Sequence, residues 1–534
     1  MASGMIVAPQ PEAVEAGALV LKRGGNAVDA AVACAFVQSV VDPQMCGIAG
    51  FGSMQVYMPS KDVHTFIDFH GRVPAAATPG MWEHLIEGET RDGFGFVLKG
   101  RVNDVGYQSV TVPGTLKALS EAQAEFGSMD WKDVMAPAIR QADVGFAVRP
   151  HVHHWWCEGA LFGRVPAVDR LRFTETGRRI YFNADGSLKR PGERVLNPDM
   201  ATTLRRIAAE GADVFYKGEI AEQIADDMKR NGGLLSLDDL RNYRTRRCDP
   251  LRGFYRGYGI ATNNPPGGGI MLLEMLNILE NFDLFEMGHN SADYIVTVAE
   301  AMKRATADKD AHVGDPDFFD VPVERLTSKE YAEAAAAAIR RGEKVSVPRF
   351  EPDPPKDTTH ISVVDAEGNA VSVTHSLGMP SGVITPGLGF MYNGCMGVFD
   401  PRPGRAGSLA PGKSRFSAMV PTIVFDGEKP TMVIGAPGGT QICMGVMQAI
   451  LNAIDFEMPI LDAIVAPRFS ATSDLIDVSN RIPAYVTDEV ESRGYTVARS
   501  HLSYPFAGVH GIRIEGGAMQ GAADPNHDGM ALAV

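Results

Sequence analysis

Residues 355–365, PKDTTHISVVD, decide how this 534-residue chain should be interpreted. Ile361, Val363 and Val364 are β-branched and predict a strand, whereas the proline-rich, charged RFEPDPPKD before them predicts a reachable loop. One interpretation is a hairpin edge whose threonines have ordinary β-propensity. The other is a buried-strand nucleophile, Thr358, that becomes an N-terminus only after the chain is cut. The rest of the sequence has to decide between them.

The second interpretation has a specific chemical basis. A threonine hydroxyl is a weak nucleophile at its own pKa and requires a base. If the peptide bond before Thr358 is cleaved, the released α-amine, whose ordinary pKa is about 7.7–8.0, can serve as that base. One residue then supplies both nucleophile and general base. An exposed approach suits this chemistry, because the preceding segment must move away after the cut.

Composition limits the class of protein. Hydrophobic residues make up 45% of the chain and charged residues 22%, which is ordinary for a soluble globular protein. The length allows two ordinary domains or one large interleaved one. The net charge of −15 argues against nucleic acid or an anionic membrane as a partner, because phosphate binding requires basic patches. No stretch approaches the roughly 18 apolar residues of a membrane helix.

The N-terminus has neither a basic start nor an apolar core, so we expect no signal peptide and a cytoplasmic location. The six cysteines include no CxxC pair, which fits a reducing compartment and predicts no disulfide framework. The segment HVHHWWC (151–157) lacks a second ligand cluster at zinc spacing, and we interpret it as a loop or aromatic packing patch. We expect neither a metal nor another cofactor.

Hydrophobic patterns predict a layered α+β protein. The segment PQPEAVEAGALVLKRGGNAVDAAVACAFVQSVVDP predicts two helices broken at Gly24–Gly25, with Asn26 as the cap of the second. The segments FGSMQVYM and VHTFIDFHG predict a strand hairpin. From Thr358 onward, HISVVDAEGNAVSVTHS and MVPTIVFDGEKPTMVIG each predict two strands, and TQICMGVMQAILNAIDF predicts a helix. Strands followed by helices packed on them favour α+β layers over a parallel Rossmann sheet.

Two segments are rich in glycine, as backbone sites for anions often are, and they lead to different predictions. In GAPGGTQI (435–442), Gly438 and Gly439 lie between a predicted strand and a predicted helix, where free N–H groups can form an oxyanion hole. The alternative is a plain strand-to-helix turn, and no Lys-Ser/Thr follows that would make it a phosphate loop. The segment NNPPGGG (263–269) lacks the GxGxxG spacing and predicts a structural turn. No GxSxG elbow supports an α/β-hydrolase serine.

The chain resembles the γ-glutamyltransferase (γ-glutamyltranspeptidase, glutathione hydrolase) family of N-terminal nucleophile hydrolases over nearly its whole length. The stretches that carry the resemblance are GGNAVDAAVACAFVQSVVDPQMCGIAGFGSM, VTVPGTLKAL, YRGYGIATNNPPGGGIMLLEMLNILENFDL, SADYIVTVAEAMKRATADKDAHVGDPDF, DTTHISVVDAEGNAVSVTHS, MVPTIV and GAPGGTQI. The resemblance implies a four-layer αββα sandwich, made as an inactive precursor that cleaves itself between Asp357 and Thr358. A large segment, 1–357, and a small segment, 358–534, then stay intertwined as a heterodimeric unit, with further oligomerisation left open.

The same resemblance implies the catalytic residues. Thr358 matches the family's nucleophile, and Ser376 replaces a threonine whose hydroxyl supports it. Gly438 and Gly439 match the oxyanion donors. The implied reaction cleaves a small-molecule amide through a threonine acyl-enzyme, which water or an amine acceptor then resolves.

The substrate-binding positions depart from the family. Ser417, in SRFSAM, matches the first of two serines that contact the substrate carboxylate, and Ala418 replaces the second. The family also grips its γ-glutamyl group with an arginine, an asparagine, a glutamine and an aspartate, whose positions here hold His70, Gly378, Cys395 and Val398. A histidine cannot copy the bidentate grip of an arginine, although Arg72 nearby could restore a positive charge.

The acyl-transfer machinery therefore matches the family, and the glutamate-specific grip does not. We predict a self-processing amidohydrolase or acyltransferase whose own residues do not imply γ-glutamyl specificity. One alternative is an acylase on a des-amino dicarboxylic or small amide, as in relatives that act as cephalosporin acylases or oxamate amidohydrolases. An alternative of a different class is an unprocessed, catalytically silent homologue.

Overall fold

Two antiparallel sheets packed face to face form the centre of the chain, in a computed structural model that describes residues 4–90, 95–157, 159, 163–348 and 358–534. The first sheet has seven strands in the order β20-β1-β11-β12-β2-β3-β8, and the second has six in the order β19-β18-β14-β13-β10-β9. The strands are β1 Met5–Ala8, β2 Phe51–Met58, β3 Val63–Phe69, β4 Ile86–Glu89, β5 Phe96–Leu98, β6 Phe146–Ala147, β7 Arg194–Val195, β8 Arg246–Cys248, β9 Leu251–Tyr255, β10 Tyr258–Thr262, β11 Thr359–Val364, β12 Ala370–Ser376, β13 Thr422–Asp426, β14 Lys429–Gly435, β15 Phe469–Ser470, β16 Leu475–Val478, β17 Thr496–Arg499, β18 His510–Glu515, β19 Ala518–Ala523 and β20 Met530–Ala533.

The described residues also form nineteen α-helices, which include those that cover the outer faces of the two sheets. They are α1 Pro11–Lys22, α2 Ala27–Val41, α3 Thr115–Phe126, α4 Trp131–Val144, α5 Pro150–Trp156, α6 Ala167–Leu171, α7 Glu175–Tyr181, α8 Pro198–Glu210, α9 Asp213–Tyr216, α10 Glu219–Arg230, α11 Leu237–Asn242, α12 Gly269–Leu279, α13 Leu284–Met287, α14 Ala292–His312, α15 Val323–Leu326, α16 Lys329–Arg340, α17 Ile442–Ile454, α18 Ile460–Val465 and α19 Ala484–Ser492. None of the helices in the described ranges is long and apolar enough to cross a bilayer.

The period-2 alternation of side chains sorts the core into layers. On β11, Ile361 and Val363 belong to the core on the side of helix α2, whereas Val364 packs between the two sheets. On the second sheet, Val424 and Ile434 pack against α12, α14 and α17. The result is the four-layer αββα sandwich that the sequence predicts.

The local signals also hold where they bear on the site. Asn26 caps α2 by accepting from the amides of Val28 and Asp29, and the Asp29 carboxylate accepts from the Asn26 amide in return. Strands β2 and β3 form the predicted hairpin, as do β11 and β12. Helix α2 lies across the strands that bring Thr358 into the centre of the molecule.

Both sheets combine strands from before Thr358 with strands from after it. In the first sheet, β11 and β12 lie between β1 and β2, which come from the other side of the predicted cleavage point. In the second sheet, β13 pairs with β10 across the same point. The boundary of the predicted segments, at residue 357, lies outside the described residues. The two parts on either side of it could not separate without breaking both sheets.

Candidate active site

Thr358 and Ser376 face each other at the end of the central hairpin. The register pairs Thr359 with His375, so the preceding Thr358 lies opposite Ser376 at the end of β12. The Thr358 Oγ1 lies 3.3 Å from the Ser376 Oγ, and the Ser376 Oγ accepts a hydrogen bond of 2.7 Å from the Gly378 amide. Both side chains are buried. Asp357, the other residue of the predicted cleavage site, lies outside the described residues.

A buried polar network anchors the opposite face of the same strand. The Thr359 hydroxyl accepts a hydrogen bond of 2.9 Å from the Gln38 amide, and the Gln38 carbonyl lies 2.9 Å from the His375 Nε2. Gln38 also donates to Gln10, whose own amide donates to Asp42. Burial raises the pKa of Asp42 to about 6 and lowers that of His375 to about 3. The network ties β11 and β12 to α2, which fixes the backbone that carries Thr358.

Gly438 and Gly439 form the turn between β14 and α17. Their φ angles of 136° and 58° favour glycine, and a Cβ on Gly438 would lie only 2.7 Å from the Ala507 Cα. Neither amide donates a hydrogen bond to any residue that the structure describes. The turn therefore has the backbone geometry and the available donors that an oxyanion hole needs. Its catalytic role stays a prediction.

A small cavity lies beside Thr358. Of the residues predicted from the sequence, it is lined by Thr358, Ser376, Gly378, Ser417 and Gly439. Its volume is about 10 Å³, the space of about one water molecule.

Two predicted basic residues lie outside this lining. The His70 Nδ1 lies 2.5 Å from the Asp68 Oδ1, and the His70 ring contacts Phe51 with 5.8 Å between ring centroids. Burial alone would raise the pKa of Asp68, but His70 outweighs it and holds that pKa below its ordinary value. The Arg72 guanidinium lies over the Tyr243 ring, 5.9 Å from its centroid. Neither residue is among the described residues that line the cavity, and their predicted role in binding a carboxylate stays a prediction.

Cys395 and Val398 lie at the two ends of one short 3₁₀ turn. The buried Cys395 Sγ donates to the Leu377 carbonyl at 3.6 Å. A Cβ on Gly378 would lie 3.0 Å from this Sγ. The Val398 Cα lies 3.5 Å from the position that a Cβ would take on Gly95. Cys395 thus borders the cavity beside Gly378, whereas Val398 faces a different part of the chain.

Sequence reasoning missed part of the cavity wall. Its remaining lining residues are Phe51, Met379, Arg415, Ala418, Met419 and Ile442. Among the described residues that line the cavity, Arg415 is the one charged side chain, and it is 3% exposed. Nothing in the local sequence around Arg415 indicated that its side chain would line the cavity.

The remaining motifs serve structural roles. The segment 263–269 fixes the position of Ser417, because the Ser417 amide donates to the Pro266 carbonyl at 2.9 Å. The segment 151–157 lies largely on helix α5 rather than in a loop. There His151 accepts from the Trp155 Nε1 at 2.9 Å and packs on His527, with 4.9 Å between ring centroids. Aromatic packing therefore accounts for these histidines.

The αββα sandwich, with a threonine at the start of a central strand, defines the N-terminal nucleophile hydrolase class. Comparison with known proteins gives the family. The model of the γ-glutamyltranspeptidase family matches residues 13–534, and the chain belongs to this family.

The individual relatives include acylases as well as a glutathione hydrolase. An acylase ACY 1 proenzyme of Pseudomonas sp. (strain V22) is 37% identical over 538 residues, covering 99% of this chain and 93% of the relative. A glutathione hydrolase proenzyme of Pseudomonas aeruginosa is 36% identical over 556 residues, covering 99% and 94%. The crystal structure of cephalosporin acylase from Bacillus halodurans superposes with a TM-score of 0.87 at 29% identity, covering 100% of this chain and 96% of the other. The chain is thus an enzyme of a family that includes both acylases and glutathione hydrolases.

Proposed function

We propose that the chain, once cut before Thr358, is an amidohydrolase or acyltransferase whose acyl group carries no α-ammonium. The observation that supports this is the charge of the cavity wall. Among the described lining residues there is no carboxylate, and the charged side chain is Arg415. A site for a γ-glutamyl group needs a counter-charge for the substrate ammonium. No described residue of the cavity wall supplies one.

The proposed reaction begins at the new N-terminus. The free α-amine of Thr358 takes the hydroxyl proton, and Oγ1 attacks the carbonyl carbon of the amide. The amides of Gly438 and Gly439 donate to the resulting oxyanion. The C–N bond then breaks, the protonated α-amine gives its proton to the leaving amine, and a threonine ester remains. Water, or an acceptor amine, attacks this ester and releases the acyl group with the Thr358 hydroxyl restored.

The proposed precursor and product share one framework. Cleavage between Asp357 and Thr358 would leave segments of 357 and 177 residues, the second obtained by subtracting 357 from 534. Because β11 and β12 lie between strands of the first segment, we expect the two segments to stay together as a heterodimeric unit.

The ammonium determines the size of the expected preference. An ammonium that loses its water without gaining a partner costs about 1–3 kcal/mol, and each 1.4 kcal/mol corresponds to about a tenfold change in rate. We therefore expect a des-amino acyl amide to react roughly 5- to 150-fold faster than its γ-glutamyl counterpart.

Two substrates that differ by a single ammonium test the proposal. Glutaryl-p-nitroanilide and γ-glutamyl-p-nitroanilide share chain length, carboxylate and leaving group. With the processed enzyme, kcat/KM should be higher for the glutaryl substrate. If the γ-glutamyl substrate is better by tenfold or more, the enzyme is an ordinary γ-glutamyltransferase with a rearranged pocket.

A further inference from the structure

A glutamine of helix α2 bridges the two strands that carry Thr358 and Ser376. The Gln38 amide donates to the Thr359 hydroxyl at 2.9 Å, and the Gln38 carbonyl lies 2.9 Å from the His375 Nε2. All three side chains are fully buried. Thr359 directly follows Thr358 in the chain, and His375 directly precedes Ser376. The bridge therefore joins the immediate neighbours of the two hydroxyl residues.

A second glutamine sets the direction of the hydrogen bonds in this bridge. The Gln38 Nε2 also donates to the Gln10 Oε1 at 2.8 Å, and the Gln10 Nε2 donates in turn to the Asp42 carboxylate at 2.7 Å. Both N–H groups of the Gln38 amide are thus used, so its oxygen is the acceptor toward His375. This places the His375 proton on Nε2, in agreement with the neutral ring that its lowered pKa implies. A flipped Gln38 amide would set its oxygen against the Gln10 oxygen, so one orientation makes these bonds.

Cleavage would make the bridge more important for the position of Thr358. Successive side chains of a strand point to opposite faces, so the Thr359 side chain reaches helix α2 while Thr358 faces Ser376. Once the bond before Thr358 is broken, its covalent link to the protein is the peptide bond to Thr359. The orientation of that peptide determines where the Thr358 side chain points. The hydrogen bond from Gln38 to Thr359 therefore limits the motion of the nucleophile.

The same bridge maintains the separation of the two hydroxyl groups. Thr359 pairs with His375 across the hairpin, and Gln38 contacts both members of this pair. A shift of either strand along its axis would break one of the two Gln38 contacts. The Thr358 and Ser376 hydroxyls, 3.3 Å apart in the next row, would shift with it. A misplacement of about 1 Å can lower a rate about 10²-fold.

We propose that Gln38 is a positioning residue for the reaction of Thr358 and acts through Thr359 and His375. This inference rests on one part of the proposed function, the role of Thr358 as an N-terminal nucleophile. Gln38 holds the backbone beside the reacting atoms and takes no part in the bond-making steps. Its loss lowers kcat, because fewer enzyme molecules then hold Thr358 in the reactive orientation. KM stays nearly unchanged, because the cavity wall keeps its residues.

The test removes one hydroxyl of the bridge with little change in side-chain size. Thr359→Val replaces that hydroxyl by a methyl group, whereas Thr359→Ser keeps it. The substrate is whichever of glutaryl- and γ-glutamyl-p-nitroanilide the processed wild type hydrolyses faster. In Thr359→Val kcat should fall about 10- to 100-fold while KM stays within about twofold, and Thr359→Ser should recover most of the loss. The matched control is Thr374→Val, because the buried Thr374 hydroxyl contacts the His360 Nδ1 at 2.8 Å in the same hairpin. Its kcat should equal that of wild type.

A double-mutant cycle separates positioning from a general loss of stability. Gln38→Met removes the whole bridge, so adding Thr359→Val to it should lower kcat far less than Thr359→Val does alone. The two Thr359 variants decide the question even if Gln38→Met does not fold. Wild-type kcat in Thr359→Val, an equal loss in Thr374→Val, or losses that multiply in the double variant would overturn the assignment of Gln38. A wild-type chain that is not cut before Thr358 would instead contradict the proposed function, so the two failures are distinct.

Discussion

Replacement of Ser376 by alanine removes a single oxygen atom and so tests the contacts around Thr358. The change removes the acceptor of the Gly378 amide, which lies 2.7 Å away, and the partner 3.3 Å from the Thr358 hydroxyl. A buried amide left without an acceptor costs about 1–3 kcal/mol, so the folded state should lose stability by that amount. Loss of the hydroxyl contact, worth about 0.5–1.5 kcal/mol, should slow attack by Thr358 roughly 2- to 10-fold.

The two effects can be measured separately. Urea unfolding in the Thr358→Ala background gives the stability of an uncut chain, and turnover of glutaryl-p-nitroanilide by the processed enzyme gives the rate. The matched control is Ser372→Ala on the same strand, whose buried hydroxyl donates to the Ile434 carbonyl at 3.3 Å. Ser372→Ala should lose stability without losing rate. If Ser376→Ala and Ser372→Ala have the same turnover, the reasoning about Ser376 is wrong.

Two further predictions concern the oxyanion turn and acid stability. Gly439→Pro removes one N–H and imposes a φ near −65° where the chain has 58°, so turnover should fall at least about 10²–10³-fold. Gly439→Ala keeps the N–H and costs about 1–2 kcal/mol in stability, so its turnover should fall far less than that of Gly439→Pro. Equal losses of turnover in the two variants would contradict an oxyanion role. Burial lowers the pKa of His360 and His375 to about 3. The contribution of each neutral ring to the free energy of unfolding is therefore complete above pH 6.5. It is lost as the pH falls toward 3, because the unfolded chain binds the proton first. Between pH 7 and pH 5 each histidine should lower the free energy of unfolding by about 2 kcal/mol. Urea unfolding of His375→Gln should show a pH-dependent loss that is smaller by this amount. A variant with the same pH dependence as wild type would refute the prediction.

The layers of the fold could be predicted because they depend on local patterns. Strands β11 and β12 alternate β-branched residues around a glycine-containing turn, and α2 begins at the Asn26 cap that the sequence predicts. The register of that hairpin then places Thr358 opposite Ser376. Antiparallel pairing fixes such neighbours once the turn is known. This part of the site was therefore accessible from the sequence.

The charge of the cavity could not be predicted in the same way. In the sequence, Gly378 stands where the family has an asparagine. Nothing local indicates that the Arg415 guanidinium lies beside it. Arg72 is a candidate by its proximity in sequence to His70, yet its guanidinium lies over Tyr243. The direction of a long side chain depends on tertiary packing. The place of Arg415 in the cavity wall therefore could not be inferred from the positions that match the family.

The most direct test of the account is the N-terminus of the small fragment. Purified protein should run as two bands on a denaturing gel, and sequencing of the smaller one should give Thr-Thr-His-Ile-Ser, beginning at Thr358. Thr358→Ala should stay a single uncut chain without amidase activity. A small fragment that begins elsewhere, or an uncut wild-type chain that still hydrolyses glutaryl-p-nitroanilide, would contradict the N-terminal threonine mechanism.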